Sequence, residues 1–289
     1  MHRILITGAS GFIGGHFLRS LQPHQEVIAL GRSRPEGNYL VDVDWIQHDL
    51  TTPIDPHRLP SQVDTIVHFA QSRVYKNFPE RAEDIFQVNV SGSFQLLEYA
   101  RTAGVRQFIF ASSGGVYQLS NKNIAENDPI QPLSFYLSSK YATEVLMRNY
   151  EPFFQRVILR LFFVYGPGQQ QGMLIPSLVQ RIKNNDMITV DGNPGMKINP
   201  IFVEDAARAV VSALNLRISG EFNVAGDEVV SITDLANTIA LVLGREVKIQ
   251  HADNQMGGNL IADNSRMKEI LLVRPRMCLL DGLRCLVEH

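Results

Sequence analysis

Cysteine is almost missing from this chain: Cys278 and Cys285, both within the last dozen positions, are the only two in 289 residues. That is too few, and too clustered, for a disulfide framework or an all-thiolate metal site, so a reducing compartment is expected, with the cytoplasm as location. An excess of one charge is lacking too. The 27 basic and 29 acidic side chains leave a formal net charge of -2, which exerts no long-range pull on nucleic acid or an anionic membrane surface. Arg32 and Arg34 form a pair and not a basic stripe. There is no long apolar run: the opening MHRILITGASGFIGG becomes glycine-rich after Thr7, so neither a signal peptide nor a membrane span is expected. His24, His48, His57 and His68 are scattered without an acidic or thiol cluster, and no metal site is expected. No internal repeat, coiled coil or low-complexity tract interrupts the chain.

What is present is an ordinary globular composition, 45% hydrophobic and 19% charged, in a chain long enough to bury a full-sized core. In the first half, short β-rich runs at 3–7, 26–30, 65–69, 107–111 and 156–161 alternate with stretches that read as helices. Such alternation predicts a parallel sheet covered on both faces. Residues 135–150 read as a helix on which Tyr141, Val145 and Leu146 share a face, reached through a loop holding Asp128, Pro129, Pro132 and Ser134. Beyond Gly166 the pattern loosens. Helices are expected over 176–184, in VEDAARAVVSAL and over 231–243, with a strand and turn in MITVDGNPG and a strand end at NVAG. The fold class is therefore α/β, a Rossmann-type doubly wound parallel sheet with a smaller, interleaved substrate-binding lobe. Residues 1–166 form the expected main dinucleotide-binding domain and 167–289 mainly the lobe, with segments such as 200–226 returning to the main domain.

The strongest local signal is the strand RILIT followed by Gly8, Gly11 and Gly14 in GASGFIGG. Glycine at these points permits a tight strand-to-helix turn, close approach of a pyrophosphate and close packing of helix on sheet. The free N–H groups of the helix start then face the anion. Ser10, Phe12 and Ile13 fill the rest of this expected cofactor turn. The spacing is GxxGxxG and not the commoner GxGxxG. At the end of the second strand an acidic residue would bind ribose hydroxyls, but Gly31, Arg32, Ser33 and Arg34 stand there, which favours NADP over NAD. A pair of solvated surface arginines is the alternative. Asp49, with Leu50 beside it, is expected at the adenine pocket.

The chain resembles the extended short-chain dehydrogenase/reductase family, in its nucleotide-sugar epimerase, dehydratase and reductase branch. The resemblance runs through GASGFIG, HFAQS, NVSGSFQLLEYA, FASSGGVY, YLSSK, LRLFFVYGP and VEDAARA. It implies that Tyr136 and Lys140 are the reactive pair and that Ser113 supplies the neighbouring hydroxyl. Their four-residue spacing sets Tyr136 and Lys140 on one side of a helical turn. Lys140 would favour the tyrosinate and hold a ribose hydroxyl, while Tyr136 exchanges a proton with a substrate oxygen that Ser113 also bonds. Tyr136 and Lys140 thus count for both catalysis and cofactor binding. Phe69, Ala70 and Gln71 match the strand-to-loop segment beside the cofactor, and Asn89 matches the central-helix motif.

Departures from the family pattern fall on the substrate side. Gly114 and Gly115 stand where dehydratases carry an acidic pair, which argues against dehydration. Phe163 replaces a substrate-facing Asn, Ile198 replaces a diphosphate-binding Arg, and ADNQMGGNLIADNS lacks another Arg. Lys197, Arg181 and Arg266 are candidate replacements. Losing two charged hydrogen bonds of roughly 1.5 to 3 kcal/mol each would weaken diphosphate recognition by orders of magnitude. The expectation is accordingly an NAD(P)-dependent ketoreductase acting on a keto sugar, nucleotide-linked or free. C4 epimerisation of a nucleotide sugar is the enzymatic alternative, and a redox-inactive dinucleotide-binding regulator the non-enzymatic one. The expected partner is the small-molecule substrate, with a homodimer as a possible assembly.

Overall fold

The computed structural model describes residues 2–254 and 257–288. In chain order the first elements are β1 (His2–Thr7), α1 (Phe12–Arg19), β2 (Gln25–Gly31), β3 (Val43–Gln47) and β4 (Thr65–His68). Next come α2 (Ala82–Phe86), α3 (Gly92–Thr102), β5 (Gln107–Ser113), α4 (Phe135–Arg148) and β6 (Gln155–Leu161). The remainder is β7 (Val164–Tyr165), α5 (Leu174–Lys183), β8 (Met187–Asp191), β9 (Lys197–Ile198), β10 (Ile201–Phe202), α6 (Val203–Ala213), β11 (Gly220–Val224), β12 (Val230–Ser231), α7 (Ile232–Leu243), β13 (Lys248–Ala252), α8 (Ser265–Glu269) and α9 (Leu279–Glu288).

Seven strands form one sheet in the order β11-β6-β5-β4-β1-β2-β3, and the registers of β1 with β2, β1 with β4, β2 with β3 and β4 with β5 are all parallel. The order reverses between β1 and β4. At such a switch point in a Rossmann-type sheet the carboxyl ends of the strands open a crevice for a ligand. Every strand expected from the alternating pattern is present. β3 was not expected: it is an edge strand paired to β2 alone, and its half-exposed VDWIQ carries no continuous apolar run.

By contacts the chain divides into two compact units. One comprises Met1–Val116, Ile130–Arg160 and Ala207–Phe222, the other Tyr117–Pro129, Leu161–Ala206 and Asn223–His289. The core of the first packs Leu5, Ile66, Leu96, Phe108, Phe110 and Ile158 between sheet and helices. Between α2 and α3 a π turn, Gln87–Ser91, lets Asn89 leave the helical ladder. The core of the second unit gathers Tyr165, Ile175, Ile188, Ile198, Phe202, Leu235 and Leu283. Within it, β7 pairs with β10, β9 with β12 and β8 with β13. Its irregular segments are joined by buried amides. Asn199 bonds Gly226 and Ala262, Asn264 bonds Ala225 and Gly226, and Asn223 accepts from the Tyr117 hydroxyl and donates to Ile124. Among the described residues no helix is long and apolar enough to cross a membrane.

Candidate active site

β1 ends in a turn that only glycine builds. Gly8 has φ +73, and a Cβ there would lie 2.7 Å from the Ala70 nitrogen. A Cβ on Gly14 would lie 2.3 Å from the Gly8 carbonyl oxygen, to which Gly11 N–H also donates at 3.0 Å. Gly11 is the N-cap of α1 and adds no side-chain cap, so the first N–H groups of α1 remain available to an anion. This backbone cradle, whose close packing a side chain at Gly8 or Gly14 would break, leaves N–H groups that fit a dinucleotide pyrophosphate. Gly14→Ala is expected to destabilise the fold by about 1 to 3 kcal/mol, because the backbone atom it meets cannot swing aside. Thermal melts check this, and an unchanged melting temperature would contradict the cradle as described.

Around the cradle the expected cofactor residues take separate roles. Ser10 and Ser33 meet through their hydroxyls at 3.2 Å, and Arg32 and Ser33 are exposed at the end of β2. Phe12 and Ile13 are half-buried on α1. Asp49 accepts from Thr51 N–H at 3.0 Å. Burial pushes its carboxyl up, but the hydrogen bonds from Thr51 and the charge of Arg32 outweigh that and hold it below the ordinary value. Leu50 is 7% exposed and belongs to the core, so its side chain packs. Phe69 packs edge-on against Phe17, and Ala70 N–H donates to the Thr7 hydroxyl at 3.2 Å.

α4 carries the pair expected to react. Ser134 caps it by accepting from Leu137 N–H, and Tyr136 and Lys140 follow one turn apart. The Tyr136 hydroxyl donates to Gln71 Oε1 at 2.9 Å, and the Tyr75 ring lies 4.7 Å from the Tyr136 ring. Burial raises the Tyr136 phenol well above its ordinary value, with Tyr75 adding to it and Gln71 opposing. Lys140, 2% exposed, donates from Nζ to the Ala111 carbonyl at 2.9 Å and sits 4.9 Å above the Phe110 ring. Burial lowers Lys140 to about 7, against the opposing pull of Glu144. Ser113 closes β5, whose Ala111 carbonyl Lys140 bonds, and its Oγ accepts from Gly115 N–H at 3.1 Å. A phenol that keeps its proton beside an ammonium poised near neutrality is the equipment of proton transfer.

The sequence pattern did not reveal what holds this pair. Asn89, released by the π turn, accepts from Ser72 N–H at 2.8 Å and donates to Ser139 Oγ at 2.9 Å, which itself donates to the Tyr136 carbonyl. His68 is fully buried, bonded to Thr7 and Ser93 and stacked on Phe110. Burial, with Lys140 nearby, lowers it to about 3, so it packs as a neutral ring. Glu144 and Arg160 pair in the interior, where charge is not expected from local pattern. The face expected on α4 is also displaced: Val145 is exposed and Tyr141 and Leu146 half-buried, while Lys140, Thr143, Glu144 and Met147 form the buried stripe.

On the substrate side, a Cβ at Gly115 would lie 2.9 Å from Leu137 Cδ2, so a side chain there would have to displace the end of the Leu137 side chain. Phe163 adopts φ 43, a left-handed conformation that is costly for a bulky residue, and packs on the core of the second unit. Ile198 is fully buried and Lys197 exposed. Arg181 donates to the Met187 carbonyl, and Arg266 lies 3.9 Å from Glu126. Positions 255–256 of the ADNQMGG segment lie outside the described residues.

A sequence model described as the NAD dependent epimerase/dehydratase family matches residues 4–225. The chain is 33% identical to a dTDP-4-dehydro-6-deoxy-D-allose reductase of Streptomyces sp, covering 94% of this chain and 91% of that protein. It is 28% identical to an uncharacterized UDP-glucose epimerase, YtcB, of Bacillus subtilis (strain 168), covering 97% and 95%. The solved UDP-glucuronic acid 4-epimerase from Bacillus cereus, in complex with UDP-glucuronic acid and NAD, superimposes with a TM-score of 0.87 at 26% identity over 99% of this chain and 98% of that one.

Proposed function

We propose that this chain, which belongs to the NAD dependent epimerase/dehydratase family, binds NAD and inverts C4 of a nucleotide-linked hexose or hexuronic acid. The observation that carries the reading is the convergence of Tyr136, Lys140 and Ser113 on the carboxyl ends of β4 and β5, with glycine where a dehydratase would need acids. Full-length similarity to a 4-epimerase structure holding NAD supports inversion over other outcomes.

The chain's residues divide the work. Gly8, Gly11 and Gly14 with the start of α1 hold the pyrophosphate, and Lys140 holds the nicotinamide ribose. Starting as the tyrosinate, Tyr136 would take the proton of the C4 hydroxyl as the C4 hydride leaves, giving a 4-keto sugar, and would return that proton when hydride comes back to the opposite face. Ser113 hydrogen-bonds the same oxygen throughout. NAD supplies the hydride acceptor and donor. A protonated Lys140 lowers the energy of the tyrosinate that this exchange requires. The second compact unit is the proposed substrate lobe.

NAD, in this reading, displaces the NADP expected from GRSR: Arg32 acts on the Asp49 carboxyl, and the solved relative holds NAD. NAD is expected to bind more tightly than NADP, with Arg32→Ala changing NAD affinity by less than about tenfold, since exposed charges interact by roughly 0 to 1 kcal/mol. Titrations with both nucleotides check this. Tighter NADP binding that Arg32→Ala abolishes would restore the phosphate-binding role.

A second reading, net reduction of a nucleotide-linked 4-keto sugar, is favoured by Phe163 at the substrate position and by the 33% identity to a reductase. Incubation with UDP-hexoses, UDP-glucuronic acid and a dTDP-4-keto-6-deoxyhexose separates the two. A C4 epimer formed without net NADH consumption supports inversion. A mass gain of two hydrogens matched by NADH oxidation, with no epimer formed from any substrate, would replace it with reduction.

A further inference from the structure

Arg160 on β6 and Glu144 on α4 are deeply enclosed charges, 1% and 0% exposed. Arg160 Nη2 donates to Glu144 Oε2 at 2.7 Å, and its Nε reaches both carboxylate oxygens at 3.2 Å. The Ser112 hydroxyl donates to Glu144 Oε1. One carboxylate on α4 is thereby tied to β6 through Arg160 and to β5 through the residue preceding Ser113. A buried ion pair is often replaceable by apolar residues without loss of stability, so stability alone does not account for this one. Its position does: Glu144 lies one turn beyond Lys140 on the same buried stripe, at the spacing where side chains on a helix meet.

The geometry points to Glu144 as a positioning residue, whose carboxylate, fixed by Arg160 and Ser112, keeps Lys140 in the charged form that holds the cofactor ribose and supports Tyr136. The inference rests on the function proposed for Lys140 above. The groups facing Lys140 are few. From α4 come Tyr136 and Glu144, from β4 comes neutral His68 behind the Phe110 ring, and from β5 the Ala111 carbonyl; Arg160 on β6 faces Glu144. Among the described residues Glu144 is the carboxylate acting on Lys140, and it opposes the effect of burial. The Ala111 carbonyl bonds the ammonium but carries no net charge. Removing the Glu144 charge therefore lowers the pH at which Lys140 loses its proton, and the Arg160 charge left behind pushes in the same direction.

The test is the pH dependence of NAD affinity, measured by titration calorimetry from pH 5.5 to 9 for the parent, Glu144→Gln and Glu144→Asp. In the parent, affinity falls as Lys140 deprotonates. In Glu144→Gln the midpoint of that fall moves to lower pH by about one unit or more. Glu144→Asp, which keeps the charge, returns it toward the parental pH. If Glu144→Gln leaves Arg160 too poorly compensated to fold, the double variant Glu144→Gln, Arg160→Met removes both charges and shows the same direction of movement. A purely structural role lowers the melting temperature and leaves the midpoint in place, and that result overturns the inference while leaving the function standing. A parent that binds no NAD at any pH overturns the cofactor reading and this inference with it.

Discussion

Tyr136→Phe is expected to fold and melt like the parent while turnover falls by roughly 10²- to 10⁴-fold, the usual contribution of a positioned proton-transfer group. The substitution removes one hydroxyl and keeps the ring that packs against Tyr75. The lost bond is the single one to Gln71, a neutral hydrogen bond whose net contribution to stability is about 0.5 to 1.5 kcal/mol. Nucleotide-sugar affinity should change little, because the phenol acts on one oxygen of the sugar. Comparing single-turnover rates with melting curves separates the two effects. Parental hydride-transfer rates in a folded Tyr136→Phe would remove this tyrosine from the mechanism.

Lys140→Met is expected to lose both NAD affinity and turnover, and to change how stability responds to pH. In the folded chain Lys140 is lowered to about 7, whereas an unfolded lysine titrates near about 10.4. Between those values the unfolded chain binds a proton that the native chain does not, so the Lys140 contribution to native stability rises with pH across that window. Below about pH 7 both states are protonated and the buried ammonium weighs fully against folding. Lys140→Met removes that ammonium and keeps a long, flexible apolar chain on Phe110. The variant should therefore be more stable than the parent at pH 6.5, by on the order of a few kcal/mol, and the difference should shrink toward pH 10. Urea denaturation at the two pH values measures it. A difference that does not vary with pH, or one that grows with it, would show that Lys140 is not desolvated as described.

The Rossmann-type sheet was legible because its strands are buried on both faces and read as unbroken apolar runs; β1, β4 and β5 are of this kind. β3 escaped because an edge strand needs no such run. The cradle was legible for a related reason: Gly8 and Gly14 would drive a Cβ into backbone atoms, so other residues strain the turn there. Tyr136, Lys140 and Ser113 are proposed from the family resemblance, and α4 brings the first two together. The supporting layer was hidden because local pattern assigns charged and amide side chains to the surface. Glu144 and Arg160 are buried only because each meets a partner distant in sequence, and the bonds of Asn89, itself named by its motif, reach equally far. On α4 this reversed the expected faces, placing Val145 in solvent and Glu144 in the interior. What the GRSR reading did not include is the anionic neighbour of Arg32, Asp49, a relation that needs the second and third strands side by side.

The most direct measurement uses UDP-glucuronic acid or a UDP-hexose carrying deuterium at C4, incubated with the NAD-loaded protein and followed by proton and deuterium NMR. Transfer of the label away from C4 and back to the opposite face predicts a C4 epimer that retains the deuterium at C4, with no net accumulation of NADH. Retention of the starting configuration with every tested sugar, or an epimer whose C4 label has exchanged with solvent, would contradict hydride transfer at C4 and with it the function proposed for Tyr136 and Lys140.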